Sequence, residues 1–141
     1  MNFGGKFVFG RGVAAALLAA LLLAPSAESA KKQEIGDLMT RLEVAYTEVV
    51  KAIMISSVQD EDDISFDQAG QWSEEIVQVT GLLAKLGEFE KDESALRFFR
   101  QLGERSRGIE RLAKAQKWEG MMAALSLLQE SCMACHRKHR N

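Results

Sequence analysis

The sequence predicts an all-α fold, an antiparallel up-down-up-down four-helix bundle, on three observations. Apolar residues recur at spacings of three and four along most of the chain past residue 30. The only proline, Pro25, precedes that stretch, so no proline interrupts a helix within it. No segment shows the strict alternation of a half-buried strand. The periodic stretch divides into four amphipathic segments of roughly twenty residues with short connections, for which an up-down bundle is the simplest packing.

The first segment runs from about Gln33 to Ser57, with Ile35, Leu38/Met39, Leu42, Ala45/Tyr46, Val49 and Ile53 on one stripe. Ser56–Ser57 and the acidic run Asp60–Asp63 then read as a loop; that run lacks the alternating ligands and glycine of a calcium loop. The second segment opens near Ser65 or Asp67 and carries Phe66, Ala69, Trp72, Ile76, Val79, Leu83 and Leu86, with Gly87 helping to end it. Acidic Asp67, Glu74 and Glu75 suit its N-terminal half.

The third spans about Asp92 to Lys117, on a stripe of Ala95/Leu96, Phe99, Leu102, Ser106, Ile109 and Leu112/Ala113. Gly103 and Gly108 weaken it by about 1 kcal/mol each relative to alanine, which predicts a kink or a close contact there. Arg97, Arg100, Arg105, Arg107 and Arg111 interleave with Glu104 and Glu110, the pattern of an exposed face. The fourth begins near Trp118 or Gly120 and carries Met121/Met122, Leu125, Leu128, Cys132 and Cys135/His136. Trp72 and Trp118 are expected in or at the edge of the core.

Ahead of the bundle, Lys6 and Arg11 precede an apolar run from Val13 to Ala24, followed by Pro25 and small residues. That order marks residues 1–29 as a secretory signal peptide, cleaved after Ser29 or Ala30; an uncleaved anchor is the competing reading. The apolar run falls short of the roughly 20 residues a membrane span needs, so no stable span is expected after processing. Export predicts a periplasmic protein in an oxidising compartment. Removing the leader takes away Lys6, Arg11 and Glu28, moving the net charge from −2 to −3. That mildly acidic balance excludes the basic footprint of a nucleic-acid-binding domain. The remaining chain of roughly 110 residues is long enough to bury a core.

Cys132-Met133-Ala134-Cys135-His136 is a C-x-x-C-H sequence, the attachment signal for a c-type haem. Two thiols at this spacing can bond the two vinyl groups on one edge of a porphyrin, and the adjacent histidine is then placed at the iron. On a helix the three residues lie within about 100° of one another, on the face that continues through Leu128 and Leu125. Three other readings compete. A disulfide between cysteines three apart on a helix is geometrically awkward. A thioredoxin-like redox pair requires a βαβ setting. A zinc site from Cys132, Cys135, His136 and His139 would crowd its ligands far more tightly than zinc-finger spacing.

A C-terminal C-x-x-C-H on the last helix of an exported four-helix protein resembles the cytochrome c prime family, the class II c-type cytochromes. The resemblance covers residues 31–141 in helix count and motif position, and only the last ten residues at motif level. Family members follow the haem histidine with a basic residue, an aromatic three positions on and an arginine at the fourth. Arg137 and Arg140 match, whereas His139 stands in place of the aromatic. The resemblance implies one covalent haem c per chain, thioether-bonded by Cys132 and Cys135 with His136 as proximal iron ligand. It also implies redox partner proteins, and homodimers in many members.

Two subclasses of that family differ on the far side of the iron. Low-spin members ligate it with a methionine early in the first helix and resemble electron carriers; Met39 is the candidate here. The stretch Ile35-Gly36-Asp37-Leu38-Met39-Thr40-Arg41-Leu42 is also similar to the opening of the soluble four-helix cytochrome b, whose axial methionine sits at the matching place. Methionine on an apolar stripe also serves as core filler. High-spin members leave the site to an apolar side chain, for which Leu38 is the candidate, and bind nitric oxide or carbon monoxide. Met54, further along the first segment, is too far from the haem, and Met121 and Met122, about three turns before the motif on its own helix, read as packing residues. The basic end from His136 to Arg140 complements a helix C-terminal dipole, or steers an acidic redox partner. No catalytic constellation is visible, so an enzyme is not expected.

Overall fold

The computed structural model describes residues 27–55 and 65–139. Most of the predicted leader, the acidic run Asp60–Asp63 and Arg140 lie outside them. Contacts divide the chain into Met1–Gln33 and Glu34–Asn141, and the second unit is the bundle. Its helices are α1 (Ala27–Val50, in the bundle from Glu34), α2 (Phe66–Leu83), α3 (Glu93–Lys114) and α4 (Trp118–His139). All four expected segments form, and the described residues contain no strand. Nor is any described helix long and apolar enough to cross a membrane.

The boundaries move where local chemistry overrides periodicity. α1 starts before Gln33, and at Val50 its backbone widens into a π-helical turn, Lys51–Ile55. Carbonyls at a helix C-terminus lack intrahelical partners, and the Ile53 carbonyl accepts a 3.0 Å bond from Trp118 Nε1. Trp118 thereby ties the end of α1 to the start of α4. α3 begins with Asp92 as its cap, whose Oδ1 accepts from the N–H groups of Ser94 and Ala95. It stops at Lys114, before the expected Lys117, because Gln116 adopts φ 53° and reverses the chain. The Gln116 N–H bonds Ala113 O and the Lys117 N–H bonds Leu112 O, the paired bonds of a Schellman closure.

Contacts between named residues give the antiparallel order. Leu38, early in α1, packs with Val79 and Leu83 at the end of α2 and with Ala95 and Phe99 at the start of α3. Arg41 pairs with Glu75 at 2.6 Å across α1 and α2. The α2–α3 seam is made of small residues, Ala69, Gly70, Ser73 and Thr80 against Gly103, Ser106 and Ala113. A Cβ on Gly103 would lie 3.3 Å from Thr80 Oγ1, so the close contact expected at this glycine is present. Thr80 and Ser106 satisfy their buried hydroxyls by bonding back to Ile76 O and Leu102 O.

The core has two parts. The larger takes fully buried side chains from all four helices, among them Val49 and Ile53 of α1, Ile76 of α2, Ile109 of α3, and Met121 and Leu128 of α4. The smaller, Leu38, Val79, Leu83, Ala95 and Phe99, draws on α1, α2 and α3 only, with Met39, Leu42 and Phe89 packed against it. Met54 is 46% exposed in the π turn, while Met121 is fully buried, as a packing residue should be.

Candidate cofactor-attachment site

The smaller core lies at the end of the bundle where α1 enters, α2 ends, α3 starts and α4 finishes. On that last side the wall is the C-x-x-C-H segment. Cys132 and Cys135 are half-buried free thiols, and His136 is exposed. Past Leu128, the only fully buried α4 side chain is Ser131. The apolar residue between the cysteines, Met133, is 51% exposed.

Two anchors establish how α4 is turned. Arg105 of α3 bonds the Leu127 carbonyl and Ser131 Oγ, so that flank of α4 faces α3. Cys132 and His136, four residues apart, share the opposite flank at about 100° of turn per residue. This flank faces α1: Tyr46 packs against the same core as Cys132, and a charge on Cys132 would raise the Tyr46 hydroxyl pKa, in addition to the larger effect of burial.

Met39 lies seven residues before Tyr46, on the same flank of α1, about 10 Å along its axis. Arg41, which reaches α2, marks the other flank. The Ile53–Trp118 bond, with Tyr46 and Cys132 packed on one core, runs α1 antiparallel to α4. Met39 packs against the smaller core, at the end of the bundle where α4 finishes. The fold therefore brings the candidate residues Met39, Cys132, Cys135 and His136 to one end of the bundle, with Leu38 in the core there.

Burial, reinforced by Cys135, pushes the Cys132 thiol up to about 11, and burial with the nearby Asp92 carboxylate raises Cys135. A disulfide-exchange cysteine needs a lowered pKa and a stabilised thiolate; these thiols have the opposite electrostatics. Among the described residues no three His, Cys, Asp or Glu side chains converge to hold one metal ion.

His139 goes elsewhere. Its Nε2 lies 2.9 Å from Ser94 Oγ and its Nδ1 3.5 Å from Asp92 Oδ2, both at the start of α3. The ring stands edge-on to Phe98 at a centroid distance of 5.8 Å. The histidine thus presents an aromatic edge to Phe98 and adds polar contacts that fasten α4 to the α3 N-terminus. Sequence spacing held no signal for this latch, because its partners lie 45 residues away. Ser94, His139 and Asp92 have the order of a hydrolase triad. The N–H groups of Ser94 and Ala95, however, are consumed by Asp92 Oδ1, leaving neither to stabilise an oxyanion. A surface cavity of about 190 Å³ lies elsewhere, between the start of α2 and the end of α3, lined by Phe66, Gly70, Glu74, Glu110 and Lys114.

Comparison with protein-family models, curated proteins and solved structures finds no match for this chain.

Proposed function

We propose that the chain is an exported monohaem c-type cytochrome that carries electrons. Cys132 and Cys135 hold the haem covalently, His136 is the proximal iron ligand and Met39 the distal one. The observation that carries this reading is that α4 closes one end of the bundle with the two thiols of a C-x-x-C-H motif in place of fully buried apolar side chains. The donor set fits the group: both thiols are half-buried, and the apolar side chains of Leu38, Leu42, Val79 and Phe99 gather at that end. Met39, packed against the core at that end, supports the methionine assignment. Bound there, a haem iron supplies reversible one-electron chemistry. A Met/His pair fills its coordination sphere and raises its potential, as suits a carrier. The surrounding residues hold the group, shield it from water and keep the two ligands in register. The leader pattern of residues 1–29 supports export to the periplasm, and electron carriage implies redox partner proteins.

A second reading rests on Leu38. It is the more buried of the two neighbours, 8% exposed against a half-buried Met39. With Leu38 over the iron, the site would be high-spin and would bind nitric oxide or carbon monoxide.

The visible spectrum of periplasmically expressed wild type and Met39→Ala, oxidised and reduced, separates the two. The expected wild type is low-spin with a methionine-to-iron charge-transfer band that the substitution abolishes. A high-spin wild type that binds carbon monoxide and ignores the substitution overturns the methionine assignment. A protein without haem absorbance overturns the cytochrome reading.

A further inference from the structure

Charge is segregated between the helices. α2 carries Asp67, Glu74 and Glu75 and no lysine or arginine, whereas α3 carries six cations against Glu93, Glu104 and Glu110. The tertiary structure divides the α3 arginines into two kinds. Arg105 turns inward and bonds α4. Arg97, Arg100, Arg107 and Arg111 are all exposed and fall within about 80° of one another on the outer face of the helix. Three other exposed cations have carboxylate partners, Arg41 with Glu75, Lys51 with Glu48 and Lys114 with Glu110. None of the four outward arginines meets a carboxylate among the described residues; Arg97 lies 5.9 Å from the Phe98 ring centroid. The His139 latch places the start of this face beside the end of α4, where Arg137 and Lys138 are also exposed.

We infer that the outer face of α3, continued onto the end of α4, is the docking surface for an acidic redox-partner protein. The inference rests on the electron-carrier reading for its redox part and on charge complementarity for its docking part. Unpaired guanidinium groups present planar forks that match carboxylates bidentately, and such pairs set both encounter rate and orientation. The outward, unpaired cations on α3 are all arginine. Glu93 and Glu104 lie within the same stripe, which gives a mixed pattern that a protein surface can complement. A uniformly anionic membrane would be repelled at those two points. The stripe runs up to the motif end, so a partner seated on it lies beside the C-x-x-C-H segment.

The test uses the holoprotein and two double charge reversals of equal net change. Arg97→Glu/Arg100→Glu alters the face, and Lys51→Glu/Lys117→Glu alters the opposite end. A ¹⁵N-labelled sample is titrated with a short poly-L-glutamate peptide at low and high salt. Amide shifts are expected on α3 and the end of α4, lost at high salt, absent in the first variant and retained in the second. Shifts elsewhere, or equal loss in both variants, overturn the docking surface. So does binding to phosphatidylglycerol vesicles without peptide binding, or self-association of the protein in place of it. Stopped-flow oxidation of the ferrous protein by anionic ferricyanide reads the redox part. The rate is expected to fall several-fold in Arg97→Glu/Arg100→Glu and little in the control; equal rates in all three proteins overturn it. A protein that binds the peptide on α3 but lacks a Soret band would sink the cytochrome reading and leave the docking surface standing.

Discussion

At the end of the bundle where α1 finishes and α4 begins, all four helices contribute buried side chains. Val49, Ile53, Ile76, Ile109, Met121 and Leu128 pack with almost no exposure, and Trp118 stitches the end of α1 to α4. At the opposite end three helices supply the apolar core, and the fourth presents two half-buried thiols and an exposed imidazole. The first end is complete as a hydrocarbon core. On the proposed reading, the second would be completed by a flat, apolar haem between α1 and α4. The difference also shows in how the helix ends are secured. At the closed end α3 stops on backbone bonds around Gln116. At the motif end, side chains do that work: Asp92 caps α3, and His139 reaches back to it.

The sharpest break in this comparison comes from the thiols. Cys132→Ala/Cys135→Ala is expected to abolish covalent haem, read as loss of haem staining on a denaturing gel; staining retained in the double variant would refute the attachment site. Next comes the core itself. Leu128→Ala is expected to cost about 2–5 kcal/mol by denaturant unfolding, because its surroundings are closed on every side and cannot collapse. Leu38→Ala, at the motif end, is expected to cost less in the haem-free chain. Equal losses would mean that the two ends are packed alike.

Gln116→Gly tests the closed end's helix stop. A non-glycine residue at positive φ is strained by about 1 kcal/mol, so the glycine variant is expected to be more stable by roughly that amount. An unchanged or lowered unfolding midpoint would show that the Gln116 side chain compensates.

The smallest effect is expected at the exposed cap. Hydrogen bonds from the Ala95 N–H and from Ser94 hold the Asp92 carboxyl below the usual aspartate range, opposed by slight desolvation and aided by His139. A depressed folded-state pKa contributes stability that is present above the unfolded value of about 3.9 and lost as pH falls through the lowered one. Asp92→Ala is therefore expected to melt earlier than wild type at pH 7, with the gap closing as pH falls below that range. A gap that persists in acid would place its origin elsewhere than in the ionised cap.

Much of the fold was legible because it is written at short range. Stripes such as Ile76–Val79–Leu83 and Leu125–Leu128–Cys132 repeat at the helical period, and a period is visible without knowing what lies opposite. The ends were less legible. Gln116 carries no sequence signal for a left-handed stop, and the π turn after Val50 depends on a tryptophan 65 residues away. The C-x-x-C-H pattern was legible for the same reason as the stripes: its three residues lie within one turn and a half of helix. The arginines of α3 were not. Periodicity counts Arg105 with its neighbours, and only the packing of α4 shows that it turns inward while four others remain exposed.

The sequence by itself determined the helix count, the polar and apolar faces and the C-x-x-C-H segment, because each is a pattern among residues within a few turns of one another. Tertiary structure decided what those faces meet. It packed Met39 against the smaller core, sent His139 to the start of α3, left that end of the core without a buried apolar side chain from α4, and gathered four unpaired arginines of α3 on one side. These outcomes depend on the register and rotation of one helix against another. Both are set by side-chain packing summed over the whole interface, which no local spacing encodes.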